Sequence, residues 1–274
     1  MKGEALVRIL IVLLIAATAI AADNKTVATS KYIPQGYNLV WNDEFDGSTL
    51  DRKKWDDRYP GRRGPSVVTK DAVRLDGKGN LLLTTFLQQD AIQVGMIGTQ
   101  GKFEQRYGYF EARIKFQKLQ GHHGAFWLQS PTFGQVADDL AQSGAEVDIV
   151  EFFGSGRSDG GLQSNVYWNS QPQMKSAKKI LDVAKILRRT GSSGSRGKEI
   201  CNDFHVFALE WSEKEYKFFI DGLEVFRTSE GISQRSEYIV LSLLCSDWEV
   251  SRLDRRKLPD SMTVDYVRVY AKNP

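Results

Sequence analysis

An all-β sandwich of the jelly-roll kind is the fold this chain predicts, on three observations. Short runs of alternating apolar and polar residues follow one another from Tyr37 to Tyr270. β-Branched and aromatic residues dominate those runs, which suits a pleated, half-buried surface. Gly, Asp, Asn and Pro then punctuate them at turn-like intervals. At 274 residues, with 41% hydrophobic and 26% charged side chains, the chain suits one large domain or two small ones with an ordinary core. The density of strands, with no internal repeat, favours a single sandwich. A net charge of +3, evenly spread, argues against nucleic acid as a partner.

The N-terminal segment has a different character. Lys2 and Arg8 give it a positive start, residues 10–17 are apolar, and Ala19-Ile20-Ala21 offers a small-x-small cleavage site. The apolar run is short for a membrane span, and polar Asp23-Asn24-Lys25 follows at once. Residues 1–21 are therefore expected to be a cleaved signal peptide, giving a secreted or periplasmic protein without stable membrane association. Residues 22–36 read as a polar, loosely held lead-in, and residues 37–274 as the folded domain, expected to be a monomer.

The predicted strands, in order, occupy residues 80–86, 107–116, 124–129, 145–153, 204–211, 216–220, 238–244 and 262–270. Within residues 218–226, Asp221-Gly222 separates two apolar runs and suits a two-residue type I′ turn, so a tight hairpin is expected. Residues 175–190 depart from the pattern. Ala177, Ile180, Leu181, Ala184 and Leu187 recur at helical spacing, with Lys175, Lys178, Lys179, Lys185, Arg188 and Arg189 on the other faces. A basic helix is expected there, either covering a sandwich edge or bordering a cleft that takes an anionic polysaccharide. Cys201 and Cys245 allow either a disulfide after export or two buried thiols.

Glu146-Val-Asp148-Ile-Val-Glu151 carries the chemistry. Val147, Ile149 and Val150 favour an extended backbone, so Glu146 and Asp148 share one face and the apolar residues the other. Glu151 falls on the wrong face by counting. One extra residue taken up as a β-bulge near Val150 would return it to the side of the other acids. Three acids in one cleft raise each other's pKa, which suits glycoside hydrolysis, where one carboxyl stays protonated beside an ionised neighbour. A solvated acidic face on an amphipathic strand gives the same pattern. Gly156-Arg157-Ser158-Asp159-Gly160 fits a serine nucleophile elbow by pattern, but strand-like sequence follows where a helix is needed. A jelly roll that binds sugar without cutting it is the other rival.

Several further motifs stand in one order along the chain: Trp41-Asn42-Asp43-Glu44-Phe45, residues 107–113 (YGYFEAR), residues 124–128 (GAFWL), residues 207–211 (FALEW) and residues 264–270 (VDYVRVY). With the acidic motif they resemble glycoside hydrolase family 16, concave β-jelly-roll enzymes that include laminarinases, lichenases, agarases and carrageenases. The resemblance spans roughly residues 37 to 272. It implies a concanavalin-like sandwich of two curved antiparallel sheets with the catalytic cleft on the concave face. The two residues between Asp148 and Glu151 match the family's bulged form. By that resemblance Glu146 is the nucleophile, Glu151 the general acid and then base, and Asp148 the helper between them, in a retaining endo-glycosidase.

Sugar rings stack on exposed aromatic side chains, which makes Trp127, Trp168 and Trp248 the candidate subsite residues. Asn165 is expected to reach a sugar hydroxyl, and His122 and His123 to line the cleft rim. Trp41, Trp55 and Trp211 read as core, and His205 as locally hydrogen-bonded. No organic cofactor is implied. A structural calcium on the convex side, as in many relatives, would use Glu44, the carbonyl of Gly79 and Asp265. The family's second cleft strand often reads His-Asn-Val-His-Trp-Asn-Gly, whereas this chain has Ser164-Asn165-Val166-Tyr167-Trp168-Asn169-Ser170. That departure leaves the glycan open. β-1,3-Glucan or mixed β-1,3-1,4-glucan leads, and a marine galactan (agar, porphyran or carrageenan) follows.

Overall fold

The computed structural model describes residues 30–171, 173–191 and 199–273. The expected signal peptide, residues 1–21, lies outside them. The strands in chain order are β1 (Tyr37–Asp43), β2 (Asp56–Asp57), β3 (Gly61–Arg63), β4 (Ser66–Val68), β5 (Val73–Leu75) and β6 (Leu81–Gln88). Next come β7 (Ala91–Gly98), β8 (Gly108–Lys115), β9 (His123–Gln129), β10 (Ala145–Phe152), β11 (Leu162–Trp168) and β12 (Lys175–Ile180). The helix α1 (Val183–Thr190) leads to β13 (His205–Trp211), β14 (Tyr216–Ile220), β15 (Leu223–Thr228), β16 (Tyr238–Leu244) and β17 (Asp260–Lys272).

Two antiparallel sheets result. One runs β5–β6–β17–β8–β13–β14–β15, with β1 beside the second half of β17. The other runs β7–β16–β9–β10–β11–β12. Between them lies the main core, in which Phe110, Phe126, Leu128, Val147, Val166, Phe207, Leu209, Leu241 and Val267 are essentially inaccessible to water. Strand alternation explains this layer: one face of each strand is apolar and meets the opposite sheet. Trp55 and Trp211 are buried in it, and Trp41 packs against it and stacks on Phe103 at 5.0 Å. The Asp221-Gly222 turn forms as expected, with φ of 49° and 78° and Ile220 opposite Leu223, so both turn residues take the positive φ that a type I′ turn requires.

Two expectations change, and the open choice for the cysteines is decided. Residues 175–180 are not helical: they form β12, the edge of the second sheet, and the helix begins at Val183. Asp182 caps it by accepting from Lys185 N at 2.9 Å, while pairing with β11 holds the preceding six residues extended. The cysteines do not pair. Cys245 donates its S–H to the Gly121 carbonyl at 2.8 Å, Cys201 lies 3.9 Å from Glu199 Oε2, and both are buried. The described end of the lead-in is docked rather than loose. A Cβ on Gly222 would stand 2.4 Å from Tyr32, and Ile33 packs on Tyr109 and Tyr270.

Candidate active site

The acidic motif lies on β10, in the middle of the second sheet. Asp148 pairs with Asn165 on β11 and Glu151 with Gln163, so β10 advances three residues while β11 advances two. The same slip occurs against β9. This is a β-bulge, and it sends both Ile149 and Val150 into the apolar core. Glu151 thereby joins Glu146 and Asp148 in lining a cleft of about 320 Å³. Cross-strand partners share a face, so three rows of side chains cross the cleft floor. They run Tyr238–Gln129–Glu146–Tyr167, Val240–Trp127–Asp148–Asn165–Lys178 and Ser242–Ala125–Glu151–Gln163.

Hydrogen bonds hold each acid. Gln129 donates to Glu146 Oε2. Gln163 and Asn165 both donate to Glu151 Oε2, at 2.8 and 2.6 Å, and Asn165 Nδ2 also lies 3.5 Å from Asp148. Burial pushes all three carboxyls up from the ordinary range. On Glu146 that push is countered by Gln129 and by the positive charges of Arg58 and Arg63. Asp148 rises furthest, through burial and then the charges of Glu151 and Glu146. Glu151 is raised by burial and by Glu146 against the opposing effect of Gln163. The arrangement separates the acids in character: two arginines favour an ionised Glu146, whereas burial and the charges of its two neighbours disfavour an ionised Asp148.

The other expected contacts divide. Trp127 lines the cleft, its Nε1 donating to Ser242 Oγ at 3.1 Å, but it is 7% exposed and Arg58 lies 5.0 Å from its ring. Trp248 is 63% exposed and packs on Phe153 at 5.3 Å and His123 at 6.2 Å, a platform open to solvent. His123 lines the cleft, and burial with the charges of His122 and Arg63 brings its pKa down to about 4. His122 does not reach the rim. It is fully buried, bonded to Thr85 Oγ1 at 2.7 Å, with Asp260 at 3.3 Å. His205, at the start of β13, meets Asp221 of the β14–β15 turn at 2.7 Å.

Trp168 is not a cleft residue. It pairs with Ala145, whose side chain is in the core, so strand alternation turns the indole away from the acids and over Gly231. Tyr167 takes the cleft position instead, its hydroxyl pushed up to about 12 by burial and the charges of Asp148, Glu151 and Glu146. Asn165 is fully buried and holds acids rather than reaching outward. Gln129, Gln163, Arg58 and Arg63 were not foreseen. The signal for the glutamines was available in the alternation, since both fall on the acid-facing parity of their strands. The arginines come from the 58–63 segment, which has no periodicity to read.

Two of the three expected calcium residues are engaged in ion pairs. Glu44 accepts from Arg268 through both oxygens, at 2.9 and 2.7 Å, and Asp265 accepts from Arg113 at 2.6 Å. A hard cation there would have to compete with both arginines for those oxygens. Among the described residues, no group of three His, Cys, Asp or Glu converges on a metal position. The Gly156–Gly160 segment turns directly into β11 without a helix, so the nucleophile-elbow rival fails.

A two-sheet sandwich with a bulged, triply acidic strand in its cleft defines a glycosidase-like protein. The family description Beta-porphyranase A-D, GH16 domain, matches residues 38–272, and the chain belongs to glycoside hydrolase family 16. It is 23% identical to glucan endo-1,3-beta-glucosidase A1 of Niallia circulans over 86% of this chain and 38% of that protein. It is 24% identical to beta-porphyranase E of Zobellia galactanivorans over 88% of this chain and 91% of that one. It spans 56% of the length of the keratan-sulfate endo-1,4-beta-galactosidase of Sphingobacterium multivorum, at 25% identity over 89% of this chain. The laminarinase catalytic domain of Thermotoga maritima superposes with a TM-score of 0.68 at 21% identity, covering 88% of this chain and all of that one. No helix among the described residues is long and apolar enough to cross a membrane.

Proposed function

We propose that this protein is a secreted, retaining endo-hydrolase of an anionic β-linked galactan. The carrying observation is the bulge that brings Glu151 onto the Glu146 face of β10, inside a cleft. Retention needs two carboxyls about 5–5.5 Å apart. Glu146, favoured in its ionised form by Arg58 and Arg63, attacks the anomeric carbon while Glu151 gives its proton to the departing sugar oxygen. Water, deprotonated by Glu151, then frees the sugar from Glu146. Asp148, neutral between them, is a hydrogen-bond donor to whichever neighbour carries charge. The charge of the substrate is argued from two exposed cations flanking the acids. Arg63 stands on the β9 side, near Glu146, and Lys178 on β12, acting on Asp148 and Glu151. The likeness to porphyranases supports the same substrate class.

A neutral β-1,3-glucan is the second reading, favoured by the named glucanase relatives. Reducing-end release from porphyran, agarose, keratan sulfate, laminarin and lichenan distinguishes the two. Cutting laminarin with no action on any sulfated chain rejects the anionic reading. An α-configured first product rejects retention, and full activity in Glu146→Gln or Glu151→Gln rejects the assigned roles.

A further inference from the structure

Among the described residues, Glu146 takes its side-chain hydrogen bond from a neutral amide, and the orientation of that amide matters. Gln129 is the direct cross-strand neighbour of Glu146 and donates Nε2–H to its Oε2. An amide turned the other way would present its carbonyl oxygen to a carboxylate, which is repulsive. Two residues prevent that. Tyr238, the cross-strand neighbour of Gln129 on β16, donates its hydroxyl to Gln129 Oε1 at 2.6 Å. Arg58 Nη2 donates to the same oxygen and to the Tyr238 hydroxyl. A guanidinium only donates, so the end of Gln129 facing Arg58 must be the oxygen, leaving the amide hydrogens for Glu146.

Arg58 is itself fixed. It is 7% exposed, its guanidinium lies 4.2, 5.0 and 5.2 Å from the rings of Tyr59, Trp127 and Tyr238, and its backbone N–H donates to the Met96 carbonyl at 3.0 Å. Long side chains clamped on several faces have little freedom left to lose when the substrate arrives.

We propose that Gln129, locked by Arg58 and Tyr238, is a positioning residue that directs Glu146 and keeps it ionised for attack. The inference rests on Glu146 being the nucleophile. Gln129 ties down Oε2 and leaves Oε1 to form the bond to the anomeric carbon as the bond to the leaving oxygen breaks. The other charged or titratable groups around Glu146 are Asp148 and Glu151 on its own strand, Tyr167 on β11, Arg58 and Arg63 from the 58–63 segment, and Glu237 and Tyr238 at the start of β16. Among the described residues, only Gln129 bonds the carboxylate through a side-chain donor that strand pairing itself sets in place.

The test compares Gln129→Leu, Tyr238→Phe and Glu146→Gln on whichever polysaccharide of the panel the wild type cuts, with kcat, KM, the pH profile and a melting curve for each. Gln129→Leu is expected to lower kcat about ten- to hundredfold, the range for losing a hydrogen bond to a charged group, with KM within about twofold. The donor favours the ionised form, so its loss moves the acidic limb of kcat/KM to higher pH. Tyr238→Phe moves both in the same direction by less. A folded Gln129→Leu with wild-type kcat and an unmoved acidic limb overturns the proposal, as does a fall in kcat without that pH shift. If Gln129→Leu does not fold, an unmoved limb in Tyr238→Phe overturns it. Substantial activity in Glu146→Gln instead rejects the underlying nucleophile assignment.

Discussion

Asn165 Nδ2 stands 2.6 Å from Glu151 Oε2, and the asparagine has no exposed surface. A residue expected to reach a sugar is therefore part of the wall that holds the acid. Its hydrogen bond favours the charged carboxylate, which works against Glu151 as a proton donor and for it as the later base.

Asn165→Ala is expected to raise the Glu151 pKa further. A group that must be protonated then stays so to higher pH, and the basic limb of kcat/KM moves up. The lost contact should cost about tenfold or more in kcat. An unmoved basic limb, measured on the cleaved polysaccharide, rejects this role.

Glu151→Ala removes both the proton donor and the later base, and activity should fall by several orders of magnitude. Azide then fills the vacated space and attacks from the side the leaving sugar occupied. Nuclear magnetic resonance should show a β-glycosyl azide if the reaction retains configuration.

Arg63→Met and Lys178→Met should each raise KM on a sulfated galactan by about threefold to tenfold, as expected for partly screened charge contacts. The dependence of kcat/KM on salt should flatten with them. Neither change should alter KM on laminarin, and a parallel loss on both chains contradicts charge recognition.

Chelation should leave the melting temperature where it is, because Arg268 supplies the positive charge on Glu44. Arg268→Met should destabilise the fold by about 1–3 kcal/mol, since the part-buried Glu44 carboxylate loses its charged donor while keeping Asn42. A melting temperature lowered by chelator and restored by calcium would place a cation in the fold.

Gly231→Ala should destabilise by about 2 kcal/mol or more. Its φ is 65°, and an added Cβ would stand 2.4 Å from the Trp168 ring. Urea denaturation measures this directly.

Much of the architecture was legible because strand alternation is a local property. Val147 and Val166 alternate with Glu146 and Asn165, and the same period of two sends the first pair into the core and puts the second on the face that carries the acids. The misread segment at 175–180 shows the limit. Its apolar spacing fits a helix, yet Lys178 and its neighbours are extended because β11 offers an open edge to pair with. Pairing with a distant strand outweighs a weak local preference.

The acid trio, the need for a bulge and the family likeness were present in the order of residues alone, since each depends on neighbours a few positions apart. What that order did not contain was which side chains surround the acids. Arg58 and Tyr238 meet on Gln129 although 180 positions separate them, and Trp168 yields its cleft place to Tyr167 through register. Such contacts arise from how the sheet stacks strands β16, β9, β10 and β11. Tertiary pairing therefore decided the surroundings of the nucleophile, because no local rule links residues that meet only once both sheets have closed.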